Sequence, residues 1–372
     1  MAQSIQQPSS LMPHTKLQTL DEACFMPDPA SGSTHISCIL TAEQRQRLHL
    51  FKNLCQSNSY DLSQPDNYTD DAALLRYLRS RNFDVAAAFE KFDYATTWRR
   101  DHKIKEFYDN LDIDHYEESR KMYPQWTGRR DRDGRPLYVF AVKEFTKKRL
   151  DEYLEKILSC PTASTYSHPD VPTHIMHFHA LYDNLIRFVT PLVSELPRTT
   201  RDIPVSASTH IIDISGVSMK QFFSIRKYLQ ETSELATAHY PETLGRVFIV
   251  GAPYFFRSIW DVMSHWFDPV TRSKLFLLTA SEAKTTLLSF IDASNLPEEY
   301  GGMLQWKWQD MPNLDEPTRD LVDELYQPGE QGKQIAKGPV SFQGSCIQLL
   351  GTENGEPRRN QFCRAAPEYP RA

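Results

Sequence analysis

No stretch of this chain approaches the roughly 18 consecutive apolar residues that cross a bilayer. Its first residues lack the charged-then-apolar pattern of a secretory leader. Any membrane contact is therefore expected to be peripheral. Cysteine is sparse: Cys24, Cys38, Cys55, Cys160, Cys346 and Cys363 lie far apart with no C-x-x-C pair. That spacing argues against a disulfide framework or a zinc ribbon and for a reducing compartment. Positive charge is not in excess either. A net charge of −6 and a pI near 6.1 lack the basic footprint of a nucleic-acid binder, so no nucleic-acid partner is expected.

Several catalytic signatures are missing as well. There is no G-x-S-x-G elbow, no P-loop and no G-x-G-x-x-G after a strand. Ser215-Gly216 comes nearest to a nucleophile elbow but lacks the leading glycine. A lipid hydrolase would need a nucleophile–base pair that the sequence does not display, and the chain does not read as an enzyme. His174, His177 and His179, with His168 and His210, could in principle hold a metal or haem. Their spacing fits no common ligand set, so neither metal nor cofactor is expected.

What is present suits a globular chain, 40% hydrophobic and 24% charged. Residues 1–40, rich in Ser, Gln, Pro and Thr, read as a disordered arm. A helical lobe follows over 41–115. It opens at the capping-box signature Thr41-Ala-Glu-Gln44, with further helix starts at Thr69-Asp70-Asp71 and Asp84. From 120 to 303 the pattern becomes α/β. Tyr138–Val142, Thr209–Ile214, Arg246–Val250 and Lys274–Leu278 are strand-like, and the last three are continuous apolar runs separated by helix-length segments, as in a mostly parallel sheet. Residues 304–326 add a helical extension. Residues 327–372 hold Gly329, Gly332, Gly338, Gly344, Gly351 and Gly355 with five prolines, and read as a second disordered tail.

The segment from Gly251 to Lys274 carries the most specific signal. After the strand Arg246–Val250, the chain breaks at Gly251 and Pro253. Phe255, Phe256, Ile259, Trp260 and Met263 then recur at helical spacing as an aromatic-rich stripe. Thr271 and Lys274 follow the stop at Asp268-Pro269 and can hold a phosphate. Greasy rings beside a phosphate handle suit an amphiphile.

Over about residues 41–303 the chain resembles the CRAL-TRIO family, in its fungal phosphatidylinositol/phosphatidylcholine transfer branch. The resemblance rests on Asp70-Asp-Ala-Ala-Leu-Leu-Arg-Tyr-Leu-Arg-Ser-Arg-Asn-Phe-Asp84, Tyr123-Pro-Gln125 with Asp131-Arg-Asp-Gly-Arg-Pro-Leu-Tyr138, and Ile212-Asp-Ile-Ser-Gly-Val217. It continues through Tyr240-Pro-Glu-Thr-Leu-Gly245, Gly251-Ala-Pro253, Phe267-Asp-Pro-Val-Thr-Arg-Ser-Lys274 and Asn295-Leu-Pro-Glu-Glu-Tyr-Gly-Gly302. The resemblance implies a helical N-terminal lobe beside a β-sheet floor, with a lipid cavity closed by a gate helix at about Tyr254–Trp266. It implies that Arg81, Glu242, Thr271 and Lys274 hold a phosphatidylinositol headgroup, with Asn82 standing where the family has lysine. Tyr138, Tyr182 and Ser208 match the family's second lipid pocket, but Thr127 replaces a tyrosine of its choline cage and His210 a phosphate-binding threonine.

The function so implied is phosphatidylinositol transfer or presentation between cytosolic membrane faces, Golgi or endosomal, by a cytoplasmic monomer without a cofactor. Its partners would be phosphatidylinositol, a second lipid, the membrane surface and a lipid kinase. The rival reading is a carrier of another hydrophobic ligand (a sterol, another lipid or haem) with a vestigial inositol site.

Overall fold

The computed structural model describes residues 40–63, 66–166, 168, 171–198, 203–252, 256, 260, 264–266, 272–325 and 335–363. The helical lobe follows from its caps. Thr41 opens α1 (Ala42–Ser57): its hydroxyl accepts from the Gln44 amide at 3.1 Å, and the Gln44 side chain accepts from Thr41 N–H at 3.1 Å. This is the reciprocal box expected from the sequence. Asp70 caps α2 (Asp71–Arg79) and Asp84 caps α3 (Val85–Asp101), each accepting from the N–H three residues on. Leu48 and Phe51, Leu74 and Leu78, and Ala88 and Phe92 then meet in one core, with Phe51 edge-on to Phe92 at 5.8 Å.

The second body is built on a five-stranded sheet in the order β1 (Gln125–Arg130), β2 (Pro136–Ala141), β3 (Ser208–Asp213), β4 (Leu244–Val250) and β5 (Leu275–Leu278). Only β1 runs antiparallel to its neighbour; the other pairings are parallel. Helices Lys147–Leu158 and Thr173–Asn184 lie between β2 and β3, and helix Met219–His239, capped by Ser218, lies between β3 and β4. Both sheet faces are covered. Leu137, Val139, Ile211, Phe248 and Leu278 pack on Leu287, Ile291, Leu296 and Trp306. Val247 and Ile249, with Phe140 and Ile212, face the opposite cluster of Phe178, Phe222 and Tyr228. Two covered faces explain why the strand sequences read as unbroken apolar runs rather than alternations.

The C-terminal tail departs from expectation. Residues 327–334 and 364–372 lie outside the described residues, as do 1–39 of the proposed N-terminal arm, but 335–363 fold. Strands Val340–Gln343, Cys346–Leu349 and Gln361–Cys363 form a small antiparallel sheet. Gly344 and Ser345, at φ 55° and 65°, make its two-residue hairpin turn, a conformation that glycine adopts without steric cost. Gly338, Gly344, Gly351 and Gly355, which suggested disorder, thus lie in the turns around very short strands. Val340, Phe342 and Ile347 are buried against Phe188, Leu192 and Leu325. The structure also contains a disulfide, Cys346–Cys363, which the cysteine spacing did not suggest; register places the two residues directly opposite each other.

Candidate lipid-binding cavity

Above the sheet face that carries Phe140, Ile212, Val247 and Ile249 lies a cavity of about 990 Å³. It stands at the top of the ~300–1,000 Å³ range of small-ligand sites. Phe178, Leu181 and Tyr182 wall it from helix Thr173–Asn184; Phe222, Tyr228 and Leu229 wall it from helix Met219–His239. The largely aliphatic and aromatic wall suits an apolar guest.

Polar groups gather at one side. Lys274, just before β5, donates to the Glu242 carboxylate at 2.7 Å, and both are about one-fifth exposed (21% and 18%). Glu242 has φ 60°, in the left-handed region that a non-glycine residue occupies at a cost of ~1–3 kcal/mol. The turn Tyr240–Thr243 that imposes this conformation presents the carboxylate to the lysine. Arg81, exposed at the end of α2, lines the same cavity; the chain turns sharply there, with Asn82 and Phe83 at φ 49° and 62°. Three of the four expected headgroup residues therefore meet on one cavity although 193 positions separate Arg81 from Lys274. Thr271 lies outside the described residues. Among the described residues the pair leaves Lys274 with two further N–H donors and Glu242 with a carboxylate oxygen to spare, a set that suits vicinal hydroxyls beside a phosphate.

Tyr138, Tyr182, Ser208 and His210 all line the cavity too. Thr127 does not. It is fully buried in β1, where its hydroxyl donates to Leu137 O at 3.1 Å and accepts from Arg129 N–H at 3.2 Å. Of the gate stripe, Phe255, Ile259 and Met263 lie outside the described residues. Phe256 is buried and lines the cavity, and Trp260 packs on the same cluster, with their ring centroids 6.3 Å apart. Gly251 precedes them at φ 71°. A Cβ there would fall 1.9 Å from Ser215 Oγ, so only glycine lets the chain pass.

Sequence reasoning missed a buried network that joins the helical lobe to the cavity wall. Asp183, fully buried, accepts from Arg99 at 2.7 Å, Tyr68 at 2.6 Å and Arg187 at 3.4 Å. Arg99 also donates to Tyr240 Oη at 2.8 Å, and Tyr240 stacks on Tyr182 at 4.1 Å. Charged residues 84 positions apart give no periodic signal.

The histidines have separate partners. His177 Nδ1 meets Ser119 Oγ at 2.7 Å, His179 Nδ1 meets Tyr240 Oη at 2.6 Å, and His174 Nε2 meets Glu231 at 3.1 Å. Burial pushes His177 down to about 3, His210 and His239 to about 4, and His179 well below the ordinary range. A second proton on His177 or His179 would also create a buried N–H without a partner, at Nε2. Because these folded values lie below the unfolded ~6.5, the unfolded chain binds more protons at intermediate pH. Their contribution is complete above ~6.5 and is lost as pH falls toward 4. His177, His210 and His239 should each cost on the order of 2 kcal/mol at pH 5. Urea unfolding should show a clearly lower midpoint at pH 5 than at pH 7; an equal or higher one would contradict the assignment.

Known proteins resemble this chain in sequence and in fold. The family model described as the CRAL/TRIO domain matches residues 120–302. The SEC14 cytosolic factor of Eremothecium gossypii is 31% identical over 238 residues, covering 63% of this chain and 69% of the relative. The SEC14 cytosolic factor of Yarrowia lipolytica is 29% identical over 289 residues, covering 78% of this chain and 54% of its own length, so the chain spans about half of that relative. The phosphatidylinositol/phosphatidylcholine transfer protein SFH7 of Arabidopsis thaliana is 31% identical over 240 residues, covering 64% of this chain and 40% of the relative. Among solved structures, that of Sfh5 superimposes with a TM-score of 0.51 at 16% identity, covering 77% of this chain and 98% of the other, a likeness of fold.

Proposed function

Since the chain belongs to the CRAL-TRIO family, as a relative of the fungal SEC14 cytosolic factors, we propose that it binds phosphatidylinositol and transfers or presents it at cytosolic membrane faces, those of the Golgi or endosomes included. It would work without covalent chemistry. The observation that carries this reading is the convergence of Arg81, Glu242 and Lys274 on one apolar cavity. A two-chain lipid has on the order of 30 methylenes, each worth ~0.8 kcal/mol away from water. Its tails need a dry compartment, while its head needs charge at the compartment's edge. A monomer would suffice, and a lipid kinase would be a natural recipient of the presented head.

The segment between β4 and β5 would be the gate. Phe256 and Trp260 support this, since both pack on the cavity cluster from a connection that begins at the Gly251 bend. Opening would be favourable only where the apolar face finds acyl chains in place of the cavity.

Transfer of labelled phosphatidylinositol between vesicles tests the reading. Lys274→Ala removes a charge-assisted contact worth roughly 1.5–3 kcal/mol, so transfer should fall at least tenfold, and Glu242→Ala should weaken it likewise. Wild-type rates in both variants would remove the headgroup assignment. Phosphatidylcholine should move far more slowly in the same assay, because the wall near His210 offers its phosphate no cation; comparable rates would refute that selectivity.

A further inference from the structure

The small C-terminal sheet lies beyond the residues 120–302 that the family model matches, and it holds the disulfide Cys346–Cys363. The bond sits at an edge. Among the described residues the three-residue strand Gln361–Cys363 pairs only with Cys346–Leu349. Cys363 is exposed and Cys346 partly so. Cys55 and Cys160 are buried thiols, and burial pushes Cys55 up to about 12. Exchange needs a sulfur that a reagent can reach, so of the described cysteines this pair alone is open to it. A disulfide exposed to a reducing cytosol is characteristically transient or redox-sensing.

The same sheet braces the cavity wall. Val340, Phe342 and Ile347 share a buried cluster with Phe188, Val189 and Leu192. Those three belong to a helix that runs from Thr173–Asn184 through a π-helical turn, Leu185–Val189, into Thr190–Ser194. Such turns are rare and recur at functional sites. Leu185, in that turn, lines the cavity. Tyr108 Oη donates to Val340 O at 2.7 Å and accepts from Val340 N–H at 3.0 Å and Asn184 Nδ2 at 3.2 Å. One phenol thus ties the sheet to the residue before the π turn. The chain between the two cysteines has its own anchors on the helical lobe, Gly351 N–H to Asp109 O at 2.9 Å and Arg359 to Asn110 Oδ1 at 2.8 Å. Opening the disulfide therefore frees the edge strand and not the whole tail. Three residues paired on one side are too short to persist unaided, and their loss turns Cys346–Leu349 into the new edge.

We propose that Cys346–Cys363 is a redox modification site, open to exchange with a glutathione-class thiol, and that its reduction loosens the π turn and speeds lipid release. This rests on the reading that the chain carries lipid at cytosolic membrane faces. The reagent thiolate attacks the exposed Cys363 sulfur and displaces Cys346 as a thiolate, which takes up a proton. A second reagent thiol then resolves the mixed disulfide. Two electrons and two protons pass to the protein pair, and the reagent leaves as its own disulfide.

The test uses the full oxidised chain, equilibrated in glutathione buffers of graded poise. Alkylation of free thiols followed by intact mass gives the fraction reduced. The disulfide should open at the cytosolic poise and re-form in oxidised buffers. Labelled phosphatidylinositol should then pass into phosphatidylcholine vesicles at least about fivefold faster from the reduced chain. Amides of 185–193 and 340–349 should exchange faster in that state as well. Cys346→Ser combined with Cys363→Ser should release lipid at the reduced rate in every buffer. A disulfide that stays closed at the cytosolic poise is structural and overturns the proposal. So do equal release rates from the two states, or a redox response that survives in the double variant. A chain that holds no phosphatidylinositol in either state overturns the reading beneath instead, while alkylation and amide exchange still decide the thiol site and the loosening. Should the double variant fail to fold, the two states of the wild type decide by themselves.

Discussion

Replacing Asp183 with Asn should lower the free energy of unfolding by roughly 3–5 kcal/mol, the cost of stranding a buried charge. Asp183 is fully buried and receives three donors, from Tyr68, Arg99 and Arg187. Asparagine keeps the shape but supplies one neutral oxygen, and its amide hydrogens face donors. Arg99 loses its only carboxylate partner among the described residues, while Arg187 keeps Asp109 at 2.7 Å. Because Tyr68 and Arg99 come from the helical lobe and Asp183 from the cavity wall, the loss should separate the two bodies first. Urea unfolding followed by circular dichroism measures it, and a shift below ~1 kcal/mol would show that the network is not what joins them. A double substitution, Arg99→Met with Asp183→Leu, should be milder than Asp183→Asn alone, since it removes both charges instead of leaving one.

The other large effect concerns the gate. Phe256→Asp combined with Trp260→Asp should reduce lipid loading and vesicle transfer to below a tenth of wild type. Phe256 is 4% exposed and faces the cavity, so a carboxylate there costs several kcal/mol whether it meets the protein core or acyl chains. Circular dichroism first establishes that the variant is folded. Transfer at wild-type rate in a folded variant would mean that these rings are ordinary core and not a moving cover. Hydrogen exchange separates the two directly: residues 252–268 should exchange faster when anionic vesicles are added, and 209–214 should not.

The parts of the fold that were legible beforehand are those governed by neighbours in the chain. A capping box at Thr41 needs only Gln44, and a cap at Asp84 only Ala87. The strands β2 to β5 announced themselves because both sheet faces are covered, which favours apolar residues on successive positions. Lys274 stood out as a phosphate handle after the stop at Asp268-Pro269, whereas Arg81 and Glu242 entered only through family resemblance; nothing in the spacing brings the three together.

The C-terminal strands failed the same test from the other side. Three or four residues per strand are too few for a period, and their glycines served turns that only the hairpin geometry reveals.

Thus helix starts, covered strands and the aromatic run after Gly251 follow from the order of residues, because steric preference and capping act over three or four positions. Which wall meets which does not. Register set Tyr138 beside His210, long-range packing brought Tyr68 and Arg99 onto the buried Asp183, and Gly251 passes close over Ser215 where the connection from β4 to β5 begins. These contacts join positions 36 to 115 apart, and their energy exists only once burial has removed the competing water.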